Sequence, residues 1–291
     1  MAVAGRTVLD VLRLSTVYLG EHGSGTPRLD AELLCAHALG LQRMDVYLQF
    51  DRPLRDGELD VIRELVRRRG RGEPVAYLSG VREFYGRSFA VDPAVLIPRP
   101  ETETLVEVVL RHLRAGPDGG RGARVADLGT GSGCIAVSLA AEMPGLRVVA
   151  TDVSAAALVV AQRNAERHGV SERISFVQGS WGEALEGALD MVVSNPPYVT
   201  TDELAHADRD VRDFEPHVAL LAGDDGLDAY RALLESLRGT MRDGARIILE
   251  VDPRRTETVR SLITAEFAGA DTIVARDLAG RDRVVDAQLP A

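Results

Sequence analysis

The 291-residue chain contains no lysine, so all 34 of its basic side chains are arginine. That removes a Schiff-base lysine and a Walker-type phosphate lysine from the chemistry open to it. Positive charge is also outweighed: 44 acidic residues leave a formal charge of -10. A protein held on nucleic acid by bulk electrostatics needs a basic face, so no direct nucleic-acid binding is expected. Only two cysteines occur, Cys35 and Cys134. They lie too far apart for metal-ligand spacing and are too few for a disulfide framework, so both read as small buried residues and no metal is expected. Long apolar runs are missing too. The opening stretch MAVAGRTVLDVLRLSTVYLG is broken by arginine and aspartate, and nothing later has the length to span a bilayer. The expected setting is therefore the cytoplasm, with no membrane partner.

What is present is the composition of a globular protein, 45% hydrophobic and 27% charged, long enough for about two domains. Up to about Arg71 the apolar residues recur three and four apart, in TVLDVLRLSTVYL, LDAELLCAHALGL and GELDVIRELVRRRG, which predicts a small helical bundle. Asp30 and Asp56 are the expected helix-start residues. Around Gly86 the stretch YLSGVREFYGRSFAVDPAVLIPRP turns aromatic and β-branched, which predicts a hairpin, closed by Pro93, Pro98 and Pro100. From Glu101 onward strand and helix patterns alternate, the mark of an α/β sheet. Strands are expected at RVADLG, RVVATDV, ISFVQG, LDMVVSNP, ARIILEVD, TIVARDL and DRVVDAQL; the helices between them include CIAVSLAAEM, SAAALVVAQRNAERHG, LDAYRALLESLRGTM and RRTETVRSLITAEF. The gap around Gly280 is too short for a parallel crossover, so the last strand should run antiparallel. The expected organisation is a helical domain over 1–75, a hairpin linker over 76–100 and an α/β domain over 101–291.

Four places carry chemistry. In VADLGTGSG a strand runs into Gly129, Thr130, Gly131, Ser132 and Gly133 and then a helix, letting a ligand approach a helix amino terminus. A dinucleotide fingerprint would place its third glycine at Cys134. The pattern here suits the uncrowded amino-acid end of S-adenosylmethionine better than a pyrophosphate. About twenty residues on, Asp152 ends a strand where an acidic side chain accepts from both hydroxyls of a ribose; its bland alternative is a helix cap. Trp181, the single tryptophan, follows the next strand, either bordering an adenine ring or packed in the core.

The fourth place is the tetrapeptide Asn195, Pro196, Pro197, Tyr198, at the carboxyl end of the fourth α/β strand. Ligands of open α/β sheets bind beyond those strand ends, so it faces the same opening as the glycine loop. The Asn195 side-chain carbonyl and the Pro196 main-chain carbonyl both accept from one planar NH2 group, and Tyr198 stacks on it. Such a slot suits an uncharged, delocalised nitrogen: an amide or a base exocyclic amine. Chemistry alone leaves both open, beside a rigid turn with no chemistry at all.

These motifs resemble the HemK/PrmC family, the peptide chain release factor N(5)-glutamine methyltransferases. The resemblance runs through LDAELLCAHALGL, RRGRGEPVAYLSGVREFYG, LIPRPETE, DLGTGSGCIA, QRNA, SNPPYV, VRDFEPHVALLAGDDGLDAYR and RDLAGRDRVV. It implies a class I S-adenosylmethionine-dependent methyltransferase, with a Rossmann-like seven-stranded sheet and an N-terminal helical bundle that binds the release factor. It implies that Gly129 to Gly133, Asp152, Trp181 and Asn195 hold S-adenosylmethionine. Asn195, Pro196, Pro197 and Tyr198 would form the pocket for the glutamine of a Gly-Gly-Gln tip in class 1 release factors, with Ile97 to Glu103 overlying the cofactor. The chain departs from the family pattern at Asp252, where a glycine is common, and in the terminal VVDAQLPA. Rival readings are a ribosomal-protein glutamine methyltransferase, an adenine-N methyltransferase on nucleic acid, and a non-catalytic cofactor-binding scaffold.

Overall fold

A computed structural model describes residues 6–116 and 118–291; residues 1–5, the start of the expected helical domain, lie outside the described residues. The chain divides into two compact units, one running through Val81 and including Asp208–Phe214, the other formed by Arg82–Ala207 and Glu215–Ala291.

The first unit contains α1 (Val8–Glu21), α2 (Pro27–Leu39), α3 (Arg43–Leu48), α4 (Asp56–Gly70) and α5 (Val75–Ser79). Thr7 opens α1 through a reciprocal pair: its hydroxyl accepts from the Asp10 amide, and the Asp10 carboxylate accepts from the Thr7 amide. Leu12, Leu19, Leu34 and Ile62 meet in one core. Asp56 opens α4 as expected, but Asp30 does not open α2. Pro27 takes the first helical position, where its fixed φ fits and no amide is needed, leaving Asp30 a turn inside. There the buried Asp30 accepts from the Ser24 and Thr26 hydroxyls at 2.8 and 2.9 Å and from Arg69 Nε of α4 at 2.7 Å. The helix α5, stopped by left-handed Gly80, occupies a stretch that the sequence pattern assigns to the hairpin.

In the second unit the hairpin is β1 (Val81–Phe84) and β2 (Arg87–Ala90), joined by Tyr85 and Gly86. Their φ values of 49° and 67° are the pair of positive angles that a two-residue turn between twisted strands requires. Next come α6 (Glu103–Ala115), β3 (Arg124–Leu128), α7 (Cys134–Glu142), β4 (Arg147–Asp152), α8 (Ala155–Arg167), β5 (Ile174–Gln178), β6 (Leu189–Ser194) and α9 (Thr201–Ala205). After α10 (Arg209–Phe214), which belongs to the helical unit, the chain returns with α11 (Asp228–Ser236), β7 (Met241–Glu250), α12 (Thr256–Glu266), β8 (Asp271–Arg276) and β9 (Asp282–Gln288). The helix expected to reach Met241 ends a turn earlier, because Gly239 at φ 73° turns the chain out of it and Met241 already opens β7.

The seven strands lie in the order β5-β4-β3-β6-β7-β9-β8. The first five are mutually parallel, and β9 runs antiparallel to both β7 and β8. Leu128, Val192 and Val193 in the central strands are fully buried, as continuous apolar strands covered on both faces must be. One face packs on α6, α7 and α8 with the hairpin phenylalanines Phe84 and Phe89; the other packs on α11 and α12 through Tyr230, Leu233, Val259 and Ile263. Among the described residues no helix is long and apolar enough to cross a membrane. Asp252, at φ -70°, makes an ordinary turn capped by its own carboxylate, so the position needs no glycine.

Candidate active site

The strand order reverses between β3 and β6, and the crevice at that switch point is where an open α/β sheet presents its ligand site. Leaving β3, the loop is held from two sides. The Gly129 and Thr130 amides both donate to the Thr151 carbonyl at 2.9 Å, and the Gly131 amide donates to Asp152 Oδ2 at 2.9 Å. The other Asp152 oxygen accepts from the Ser154 amide at 2.9 Å, while the Ser154 hydroxyl caps α8. Asp152 is thus not the cap of α8; burial pushes its carboxyl up, and two backbone amides pull it down.

Gly129, Gly131 and Gly133 all have positive φ, but for different neighbours. A Cβ on Gly131 would meet nothing within 4 Å, whereas one on Gly133 would stand 3.1 and 3.2 Å from Cβ and Cα of Ala161 on α8. Gly133→Ala is therefore expected to lose about 2 to 4 kcal/mol, from the left-handed backbone plus overpacking, and Gly131→Ala only about 1 to 2. Urea melts of the two variants check this; equal losses would contradict it.

Beneath the loop sits a carboxylate that the sequence reading did not single out. Asp127 is fully buried, and its Oδ2 accepts from the Thr130 hydroxyl at 2.6 Å and from the Ala136 amide at 3.1 Å, tying the loop to the first turn of α7. Burial raises this carboxyl to about 7, with the two hydrogen bonds opposing the shift. The signal in the sequence was an aspartate inside an otherwise apolar strand, VADLG.

A cavity of about 260 Å³ opens over the loop. Of the expected residues, Gly129, Gly131, Asp152, Trp181, Asn195 and Pro197 line it together. Its remaining wall includes Ala94, Leu96 and Val218, which the motifs did not mark. A smaller cavity of about 40 Å³ adjoins, where Thr130, Ser132 and again Asn195 face Pro98, Arg99 and Thr102 of the IPRPETE stretch. Gly133, Pro196 and Tyr198 line neither. Gly133 packs on α8, Pro196 is buried, and Tyr198 packs against the core beside α11, where burial pushes its hydroxyl up to about 12.

Trp181 is half-buried against that core and also walls the cavity, its Cζ3 3.4 Å from where a Cβ on Gly129 would stand. Its φ of 48° is unusual for a bulky residue, and its carbonyl accepts from the Thr151 hydroxyl at 3.0 Å. Asn195 Nδ2 donates to Thr102 Oγ1 at 3.2 Å, leaving its side-chain oxygen to accept. Cys134 beside the loop is an inert thiol, pushed up to about 12 by burial. Among the described residues no group of three or more His, Cys, Asp or Glu is placed to hold a metal ion.

The PrmC N-terminal domain family matches residues 10–80, and the methyltransferase small domain family matches residues 102–210. The chain is 45% identical over 265 residues to the release factor glutamine methyltransferase of Nitratidesulfovibrio vulgaris, covering 90% of this chain and 88% of that one. It is 43% identical to the enzyme of that name from Chlorobaculum tepidum, covering 95% of each. The chain belongs to the release factor glutamine methyltransferase family. Solved structures show the family's fold more distantly: the hMettl16 catalytic domain in complex with an RNA hairpin superimposes with a TM-score of 0.53 at 18% identity, covering 73% of this chain and 79% of that one. A Pyrococcus furiosus methyltransferase gives 0.50 at 17% identity, covering 72% and 91%. As a member of this family the chain is a methyltransferase that uses S-adenosylmethionine, and its residues fit that cofactor: a carboxylate and a glycine-lined backbone at one wall of the cavity, apolar side chains at the other.

Proposed function

We propose that this enzyme methylates the side-chain amide nitrogen of the glutamine in the Gly-Gly-Gln motif of class 1 peptide chain release factors, in the cytoplasm. The observation that carries this reading is Asn195, whose amide nitrogen is occupied by Thr102 while its oxygen is left to accept beside a glycine-lined cavity. Asp152 would accept from the ribose hydroxyls, Trp181 would border the adenine, and Gly129 to Gly133 would receive the amino-acid end. S-adenosylmethionine, when bound, supplies an electrophilic sulfonium methyl.

The rest falls to side chains of this protein. Asn195 and the Pro196 carbonyl would take both hydrogens of the glutamine NH2, with Pro197 completing the slot at the cavity wall. An amide held by both hydrogens presents its nitrogen in one orientation only, which is the contribution of positioning to the rate. The nitrogen is uncharged, so no strong base has to act before transfer, and the surplus proton leaves to solvent. The helical unit would help hold the release factor, a protein partner compatible with the chain's net charge of -10.

The test is incubation with labelled cofactor and purified release factor, beside a Gln→Ala tip variant, a ribosomal-protein extract and duplex DNA. Label is expected on the intact release factor alone. Label on DNA alone would replace the reading by adenine-N methylation, and label on ribosomal protein alone by the neighbouring protein substrate.

A further inference from the structure

The cavity over the glycine loop has two kinds of wall. The inner one belongs to the sheet: Gly129 and Gly131 leave β3, Asp152 ends β4, and Trp181 follows β5. The outer one comes from two loop segments distant in sequence, Ala94 to Leu96 on one side and Val218 with Ala219 on the other. The first begins a strap that runs on through Ile97 and Arg99 to Pro100, and the second lies in the short turn His217–Ala219. Just beyond that turn the chain is rooted beside Tyr198. The Val199 amide donates to the Leu220 carbonyl and the Ala222 amide to the Val199 carbonyl, both at 2.9 Å.

Just before the turn, one side chain joins it to the strap. Glu215 is buried; its Oε1 accepts from Arg99 Nη2 at 2.6 Å, and its Oε2 accepts a longer bond from the Ile97 amide at 3.5 Å. The contact spans 116 residues of sequence. A buried ion pair adds little net stability, because desolvation offsets most of its attraction. What this one supplies is a directed link between two segments that the sheet does not hold. Its ends are also unequal, the Glu215 side chain 2% exposed and that of Arg99 32%. Water can therefore solvate the guanidinium when the pair parts, so the link opens more readily than one between two fully buried ions.

We propose that Glu215 and Arg99 are positioning residues that latch the outer wall of the cavity over S-adenosylmethionine and so set how fast the cofactor leaves. The inference rests on the cofactor occupying this cavity. The inner wall cannot move without breaking strand pairing, whereas the strap and the turn separate once the pair opens. Glu215 lines neither cavity, so it acts through the segments it joins. Joined, they keep Leu96 and Val218 at the outer wall; parted, they leave the ligand held from the sheet side alone.

Full-length Glu215→Gln, Arg99→Gln and the double variant test this. S-adenosylmethionine affinity is measured by calorimetry, release of the methyl-free product S-adenosylhomocysteine by stopped-flow displacement, and the thermal midpoint on the ligand-free protein. Glu215→Gln is expected to speed release about 10-fold, the scale of weakening one hydrogen bond between charged groups, while single-turnover transfer at saturating cofactor falls far less. The double variant should release no faster than the faster single variant, since either substitution already opens the latch. Wild-type release in Glu215→Gln, additive effects in the double variant, or a lowered thermal midpoint with wild-type release would each overturn the proposal. Should Glu215→Gln fail to fold, Arg99→Gln, altered at the more exposed end of the pair, decides by its release rate. Unchanged cofactor affinity in Asp152→Ala would instead overturn the reading of the cavity, whereas weakened affinity there beside wild-type release in Glu215→Gln would overturn only the latch.

Discussion

Asn195→Ala is expected to lower kcat for methyl transfer to release factor by about 10³-fold, the scale of removing a preorganised hydrogen-bonding group aimed at a reacting centre. The loss should fall on the chemical step. The substitution deletes the acceptor that orients the glutamine NH2, yet leaves the Gly131 amide, Asp152 and Trp181 around the cavity unchanged. Cofactor affinity should therefore fall far less than kcat, and single-turnover transfer beside calorimetric titration of the cofactor separates the two. Aspartate at the same position is also expected to fail: it keeps an acceptor but loses the NH2 that donates to Thr102. Transfer at the wild-type rate by Asn195→Ala would mean that the acceptor amide is held elsewhere.

Asp152→Ala should act on the other half of the reaction. Each hydrogen bond to a charged acceptor contributes about 1.5 to 3 kcal/mol, so losing two ribose contacts should raise the cofactor Kd by about 10² to 10³-fold or more. At saturating cofactor kcat should change little, since Asp152 does not hold the acceptor. A complication is built into the site, because Asp152 also ties down the Gly131 and Ser154 amides. Asp152→Asn keeps one of those acceptors and should give an intermediate Kd, with a thermal midpoint closer to wild type than that of Asp152→Ala. Unchanged cofactor affinity in the alanine variant, measured by titration, would exclude the ribose role.

The sequence and the structure agree where a local pattern determines a local shape. Gly86 within an aromatic and β-branched stretch marks a hairpin, and the short connection around Gly280 leaves β9 no route but antiparallel. Asp152, Asn195 and the glycine loop are legible because strand ends in an alternating pattern point to one edge of the sheet. Asp127 and Thr102 are not legible in that way. Asp127 binds Thr130 and Ala136 nearby in sequence but only once the glycine loop turns back over it, and Thr102 meets Asn195 across 93 residues. The cavity walls at Ala94, Leu96 and Val218 escape for the opposite reason: apolar side chains carry no mark that tells a ligand wall from a core. Asp30 shows how a stronger local signal displaces a weaker one, with Pro27 taking the helix start and Asp30 left to bind Arg69.

The placement of β9 between β7 and β8 bears on how the molecule comes into being during translation. Synthesis runs from the amino end, so β8 emerges before the strand that will join it to the sheet, and the outer edge of β7 stays unpaired meanwhile. Glu250 pairs with Val284, and Arg283 contributes to the charge around it. A nascent chain halted before Asp282 thus already carries every residue that lines the cavity, yet lacks the strand that lies beside the buried Glu250. Competence for methyl transfer should arrive late and in one step, when residues 282–288 slide into a slot prepared for them, rather than accumulating as the sheet grows.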